Sequence, residues 1–187
     1  MPDERFDWVR SDLFPFISIS EDGDPVLRPL DPPVVPEPPR RGEDGPAGCG
    51  ACQGDDAGFV WVDDRWRISV ISGLAVPLAL SVSPRAHLDS PDLPDEFAAE
   101  LGLVLVRVER AVLAAGDIGR VHFSKWCDGG AHLHWWVLAR PLGALQQRGS
   151  FLVLWAQTLE PPPEQEVSAR AAAVGQLLAR HSGWVPT

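Results

Sequence analysis

The sequence predicts an α+β fold: an antiparallel sheet packed by one long helix and entered through a Pro-rich N-terminal arm. Three observations carry this. Short apolar and β-branched segments bounded by turn residues fall into two groups, one on each side of a single long segment of helical period. That long segment carries one continuous apolar stripe. Prolines crowd into the first 47 residues. Strands, helix, strands, helix is an order that segregates a sheet from the helices covering it.

Each element follows from its residues. Phe6, Trp8, Leu13, Phe14, Phe16, Ile17 and Ile19 make residues 1–20 an apolar arm that should dock on the core as an irregular piece or a short strand. Pro25, Pro29, Pro32, Pro33, Pro36, Pro38, Pro39 and Pro46 exclude helix and central strand from 21–47, which should be an extended linker or surface wrap. The expected division is therefore an arm and linker at 1–47 and a folded domain at 48–187. Its core spans 49–141 and a helical extension 142–187. Strands are expected at 59–62 and 66–71, joined by the turn Asp63-Asp64-Arg65. A third lies within 77–82 and is closed by Pro84-Arg85-Ala86-His87. Phe97, Leu101, Val104, Leu105, Val108 and Val112 then lie on one face of a helix over 94–115, with Pro94 suited to its first turn and Gly116 to its stop. Strands at 120–126 and 131–139 follow, joined as a hairpin through Cys127-Asp128-Gly129-Gly130. Residues 151–155 fit strand or helix. A last helix over 164–182 carries Val167, Ala171, Val174 and Leu178 on one face.

Composition bounds the function. A hydrophobic fraction of 45% with 22% charged residues gives 187 residues enough apolar material for one core. The net charge of -10 argues against a nucleic acid polymer as partner, leaving a small phosphorylated ligand held by a local site. No apolar run reaches the ~18 residues of a membrane span, and the N-terminus lacks the basic start and apolar stretch of a signal peptide. The expectation is a cytoplasmic protein without a membrane partner. Two of its three cysteines form Cys49-Gly50-Ala51-Cys52, which in that compartment favours metal or redox chemistry over disulfides.

The stretch His132-Leu133-His134-Trp135-Trp136 carries the most chemistry. Alternation on a strand would place His132, His134 and Trp136 on one face and Leu133, Trp135 and Val137 on the other. Paired imidazoles suit metal ligation, a nucleophile directed at phosphorus, or the solvated face of an edge strand. Cys49 and Cys52 have the spacing of half a tetrahedral zinc site. The remaining ligands could come from Cys127, His87, His122, His132, His134 or His181; His87 and His132 lie where a sheet edge could meet the Cys-x-x-Cys loop, which favours a Cys2His2 zinc site. The alternatives are a redox pair or two buried thiols. Lys125 and Arg140 flank the region, with Lys125 expected on the solvated side. Trp135 is expected in the core, Cys127 as a small loop residue, His181 as a C-terminal cap, and Trp155 and Trp184 as packing or dimer contacts.

These motifs, in this order, resemble the histidine triad (HIT-like) superfamily, which includes the galactose-1-phosphate uridylyltransferases. The resemblance runs from about residue 49 to 141: Cys-x-x-Cys, a hairpin, Pro84-x-x-His87 before the long helix, Asp128-Gly129-Gly130, and His132-x-His134 followed by apolar residues. It implies a HIT-like fold and a homodimer. It also implies a structural zinc on Cys49, Cys52, His87 and His132, and a nucleotide or nucleotide derivative as partner. His134 would be the nucleophile of a nucleotide hydrolase or nucleotidyltransferase, forming a nucleotidyl-histidine. Ser124 stands where relatives place a phosphate-binding Asn, and His122 would border the site. The third histidine is replaced by Trp136, which can donate a hydrogen bond or stack but cannot act as a general acid. Ala131 follows Gly130 where relatives carry Gln or Ser. These departures raise the alternative of a catalytically silent, zinc-stabilised domain that binds a nucleotide or a partner. A catalytic zinc held by His132 and His134 is a third possibility.

Overall fold

The computed structural model describes residues 17–186. The apolar positions predicted at 6–16 lie outside the described residues. Strands β1 (Ile17–Ile19) and β2 (Pro25–Leu27) pair as a small antiparallel ribbon. Pro25 opens its strand, a position where its missing N–H costs no ladder bond. From 28 to 39 the chain has no regular structure and nearly every residue is exposed.

The main sheet has five strands in the order β3 (Trp61–Val62), β4 (Trp66–Val70), β5 (Ala79–Pro84), β7 (Trp135–Pro141), β6 (Ile118–Ser124), every neighbouring pair antiparallel. The Asp63 carboxylate forms the β3–β4 turn by accepting the backbone N–H groups of Arg65 and Trp66 at 2.9 and 2.7 Å. Helix α1 (Asp95–Ala114) crosses from β5 to the far edge strand β6, and β7 then returns beside β5. The predicted stripe of α1 is the buried one: Leu101, Val104, Val108 and Val112 pack on Ile68, Leu80, Val82 and Val137. Each such side chain contributes roughly 1.5–3 kcal/mol.

Helix α3 (Glu164–Ala179) packs beside α1 through Ala171, Val174 and Leu178. The ambiguous segment is a helix, α2 (Phe151–Thr158): Leu152 and Ala156, four residues apart, are both buried against Val76, Ala79 and Leu138. The sheet therefore has one face closed by α1 and α3 and the other closed only at the α2 end. No helix among the described residues is long and apolar enough to cross a membrane.

Gly175 sets how closely α3 approaches the sheet. A Cβ there would collide with the Val60 carbonyl oxygen. A helical Gly→Ala change ordinarily stabilises by about 1 kcal/mol, but Gly175→Ala is expected to destabilise by about 1–3 kcal/mol. The shift of the urea midpoint checks the sign.

The second histidine-bearing strand differs from the sequence expectation. It begins at Trp135, not at 131, so His132 and His134 precede it. The reason lies in the backbone partners. Ala131 N–H donates to the Arg41 carbonyl at 2.9 Å and Leu133 N–H to the Leu88 carbonyl at 2.8 Å, so this stretch pairs with the arm and with the end of the β5 loop. Facial alternation persists without the ladder. Leu133, Trp135 and Val137 enter the core, and His132, His134 and Trp136 line the opposite side.

Candidate metal centre and adjoining cavity

The topology assembles the four candidate metal ligands. Because β5 and β7 are antiparallel neighbours with Val82 opposite Trp135, the residues after β5 meet the residues before β7. That brings His87 and His132 to one place. The Cys-x-x-Cys loop reaches them from outside the sheet on two tight 3-10 turns, Pro46–Gly48 and Gly50–Cys52. Gly42 lies beneath the loop at φ 79°, where a Cβ would stand 3.0 Å from the Cys49 Cβ and 3.2 Å from the His87 ring. Only glycine suits both that backbone and that gap.

Cys49, Cys52, His87 and His132 offer ligand atoms that all lie within 4.8 Å of one another, and this cluster could hold a metal ion. Cys52 Sγ is 3.3 Å from both His87 Nδ1 and His132 Nδ1, and Cys49 Sγ is 3.5 Å from His132 Nδ1. Metal–ligand lengths of about 2.3 Å to sulfur and about 2.0 Å to nitrogen put neighbouring ligands of a tetrahedron about 3.5 Å apart. The outer partners agree. His132 Nε2 donates to the Pro84 carbonyl at 2.8 Å and His87 Nε2 to the Gly42 carbonyl at 3.1 Å. Carbonyls accept only, so each Nε2 carries the proton and each Nδ1 presents its lone pair to the cluster. Burial holds His132 below the usual histidine range. Burial and the neighbouring Cys49 push the Cys52 thiol up, so a bound cation must displace its proton.

Beside the cluster, a cavity of about 620 Å³ opens on the uncovered half of the sheet. Its walls include Cys49, His132, His134 and Trp136 from the sequence-predicted site. His134 Nδ1 lies 2.8 Å from the His132 carbonyl, which fixes the proton on Nδ1 and leaves the Nε2 lone pair without a partner among the described residues. His134 is not one of the four clustered residues. Buried Cys127, at φ 57°, approaches the same imidazole at 3.9 Å. Trp136 meets Trp126 edge to face, with ring centroids 5.4 Å apart, on one side of the cavity.

Ser124 and His122 are not on the cavity wall. Ser124 pairs opposite Trp136, whose side chain, unlike Ser124, reaches the cavity. His122 pairs opposite Leu138, at the end covered by α2. Its Nε2 is buried without a partner among the described residues. Burial first, and the Arg140 charge second, hold His122 below its ordinary value of 6.5. An NMR titration of this imidazole is therefore expected to give a midpoint below about 6.5, with the ring neutral at physiological pH.

Sequence reasoning missed the polar floor of the cavity: Arg67 and Ser69 on β4, Ser81 and Ser83 on β5. The signal was present in Trp66-Arg67-Ile68-Ser69-Val70 and Leu80-Ser81-Val82-Ser83, where apolar and polar residues alternate strictly. The register pairs Arg67 with Ser83 and Ser69 with Ser81, placing all four on one face. It also missed how the arm is tied down. Arg40 bridges to Asp89 at 2.7 Å and to the Cys127 carbonyl at 3.2 Å, and Arg41 forms an isolated parallel bridge with Gly130.

With this geometry, the fold is that of histidine triad proteins. The chain is similar to a Zn-bound histidine triad family protein from Mycobacterium smegmatis, at 20% identity and TM-score 0.51, covering 73% of this chain and 100% of that one. A histidine triad protein from Sinorhizobium meliloti 1021 matches at 18% identity and TM-score 0.52, covering 65% and 89%. Another from Marinobacter aquaeolei VT8 matches at 14% identity and TM-score 0.52, covering 67% and 90%. No protein-family model matches the chain, and no curated protein matches it.

Proposed function

We propose that this chain is a nucleotide hydrolase or nucleotidyltransferase that acts through a nucleotidyl-histidine at His134, beside a structural zinc on Cys49, Cys52, His87 and His132. One observation carries the reading: the 2.8 Å hydrogen bond from His134 Nδ1 to the His132 carbonyl. It selects the tautomer whose Nε2 lone pair is nucleophilic, on the wall of a cavity large enough for a nucleotide-sized molecule. Nε2 attacks the α-phosphorus, an N–P bond forms, and the bond from phosphorus to the leaving oxygen breaks with its electron pair on the leaving group. Water or an acceptor hydroxyl then forms an O–P bond as the N–P bond breaks, its electron pair returns to Nε2, and the proton of the attacking oxygen passes to solvent.

Trp136 shapes the substrate preference. Its indole can donate to a phosphate oxygen but has no proton to give a departing alkoxide. Leaving groups that depart as stable anions, such as the phosphate of an anhydride, therefore suit this site better than sugars or alcohols. The zinc, when bound, would tie the Cys-x-x-Cys loop to the sheet and hold His132. Its likeness in fold to a Zn-bound protein supports that choice of metal.

Trp136 also favours the second reading, a zinc-stabilised domain that binds its ligand without reacting. Intact-mass spectrometry after brief exposure to dinucleoside polyphosphates, nucleoside phosphoramidates and nucleotide sugars separates the two. A nucleotidyl adduct in wild type and none in His134→Ala supports the covalent route; binding without adduct or product moves the chain to the second reading.

A further inference from the structure

We propose that the floor of the cavity is an oxyanion subsite centred on Arg67, and that the ligand carries there a carboxylate or phosphate distinct from the phosphorus facing His134. The proposal rests on reading this cavity as the substrate site. Arg67 is 4% exposed. Its guanidinium lies over the Phe59 ring, 4.7 Å from the centroid, and one nitrogen donates to the Ala51 carbonyl. Its Nε is buried and has no hydrogen-bond partner among the described residues. No carboxylate among them pairs with it either, whereas Arg40, Arg65, Arg85 and Arg170 all have acidic partners. Burying a cation without an acidic partner is unfavourable, and a bound anion offsets that cost.

The surroundings fit an anion. Ser69, Ser81 and Ser83 bring three hydroxyls to the same face, each able to donate to an oxyanion. Arg41 stands at the cavity wall as a second cation, opposed by one exposed carboxylate, Asp128. In a chain of net charge -10, that local balance is the reverse of the whole. A guanidinium with serine hydroxyls suits a carboxylate or phosphate, and an uncharged apolar ring would leave these groups unpaired.

The test is calorimetric titration of the zinc-loaded 187-residue chain with inorganic phosphate and, separately, with malonate, chloride held constant. At least one probe should bind at one site per chain, and which of the two binds tighter tells phosphate from carboxylate. Arg67→Gln should weaken that binding by about tenfold or more. His134→Ala should stay within about twofold of wild type. Zinc content is measured for every variant, because Arg67 also holds the Ala51 carbonyl. Should Arg67→Gln lose zinc, Ser81→Leu decides: it fills the subsite, leaves the Arg67–Ala51 bond in place, and should abolish binding. Wild-type affinity in Arg67→Gln, wild-type affinity in the deciding Ser81→Leu, or no binding of either probe overturns the subsite. Binding lost in His134→Ala but kept in Arg67→Gln also overturns it. Arg67-dependent binding in a protein whose turnover survives His134→Ala would instead refute the catalytic reading and leave the subsite standing.

Discussion

His134→Ala is expected to lower turnover of a nucleotide anhydride by at least about a thousandfold, with metal content unchanged and thermal midpoint close to wild type. The asymmetry follows from where the two histidines sit. His134 is only partly buried, and its ring makes one short hydrogen bond, to the His132 carbonyl, beside the long Cys127 Sγ contact. Losing that bond costs about 1 kcal/mol. His132 is 4% exposed, donates to Pro84, and faces both cysteines. His132→Ala should therefore lose metal and stability together, and activity as a consequence. Steady-state kinetics, metal analysis and thermal melts of the two variants side by side read the contrast. Equal turnover in wild type and His134→Ala would remove His134 from the chemistry.

The core was legible because its signals are local and long. The α1 stripe spans four turns: Leu101, Val104, Val108 and Val112 are buried, and Phe97 and Leu105, partly buried, pack against the same core. The metal-ligating residues were legible as types and order, but their assembly depends on β5 pairing with β7 instead of β6, a non-local fact that spacing does not contain. The sequence could therefore favour His87 and His132 as partners of the Cys-x-x-Cys, and the resemblance implied the full set of four. The segment before β7 deceived because its alternation is real while its hydrogen bonds run to Arg41 and Leu88, distant in sequence. Arg67 was passed over because an arginine alternating with apolar residues reads as the wet face of a strand. Its burial comes from the Cys-x-x-Cys loop folding over it, as the bond to Ala51 records. Ser124 and His122 share the predicted face, yet α2 closes the end where His122 pairs with Leu138.

Metal removal is expected to produce the largest change in stability. Residues 40–52 bury little apolar side chain: Cys49 is the only hydrophobic residue of the stretch that counts as buried. The stretch is held instead by the Arg40–Asp89 and Arg40–Glu43 ion pairs, the Arg41–Gly130 bridge, the Arg67–Ala51 bond and the four-residue cluster. Ion pairs as open to solvent as these contribute little to stability. A metal joining the two thiolates to two imidazoles would be the dominant restraint on such a segment. A chelator, or Cys52→Ser, should therefore lower the thermal midpoint by about 10 °C or more. The loss should be local at first. Hydrogen exchange is expected to accelerate in 40–54 and 127–134 while the α1-covered strands β4 and β5 keep their protection. Since 127–134 carries His134 and one wall of the cavity, activity should fall with metal even though His134 is not among the four clustered residues, and both should return when zinc is restored. An unchanged midpoint and unchanged exchange after complete metal removal would show that the cluster holds nothing the fold needs.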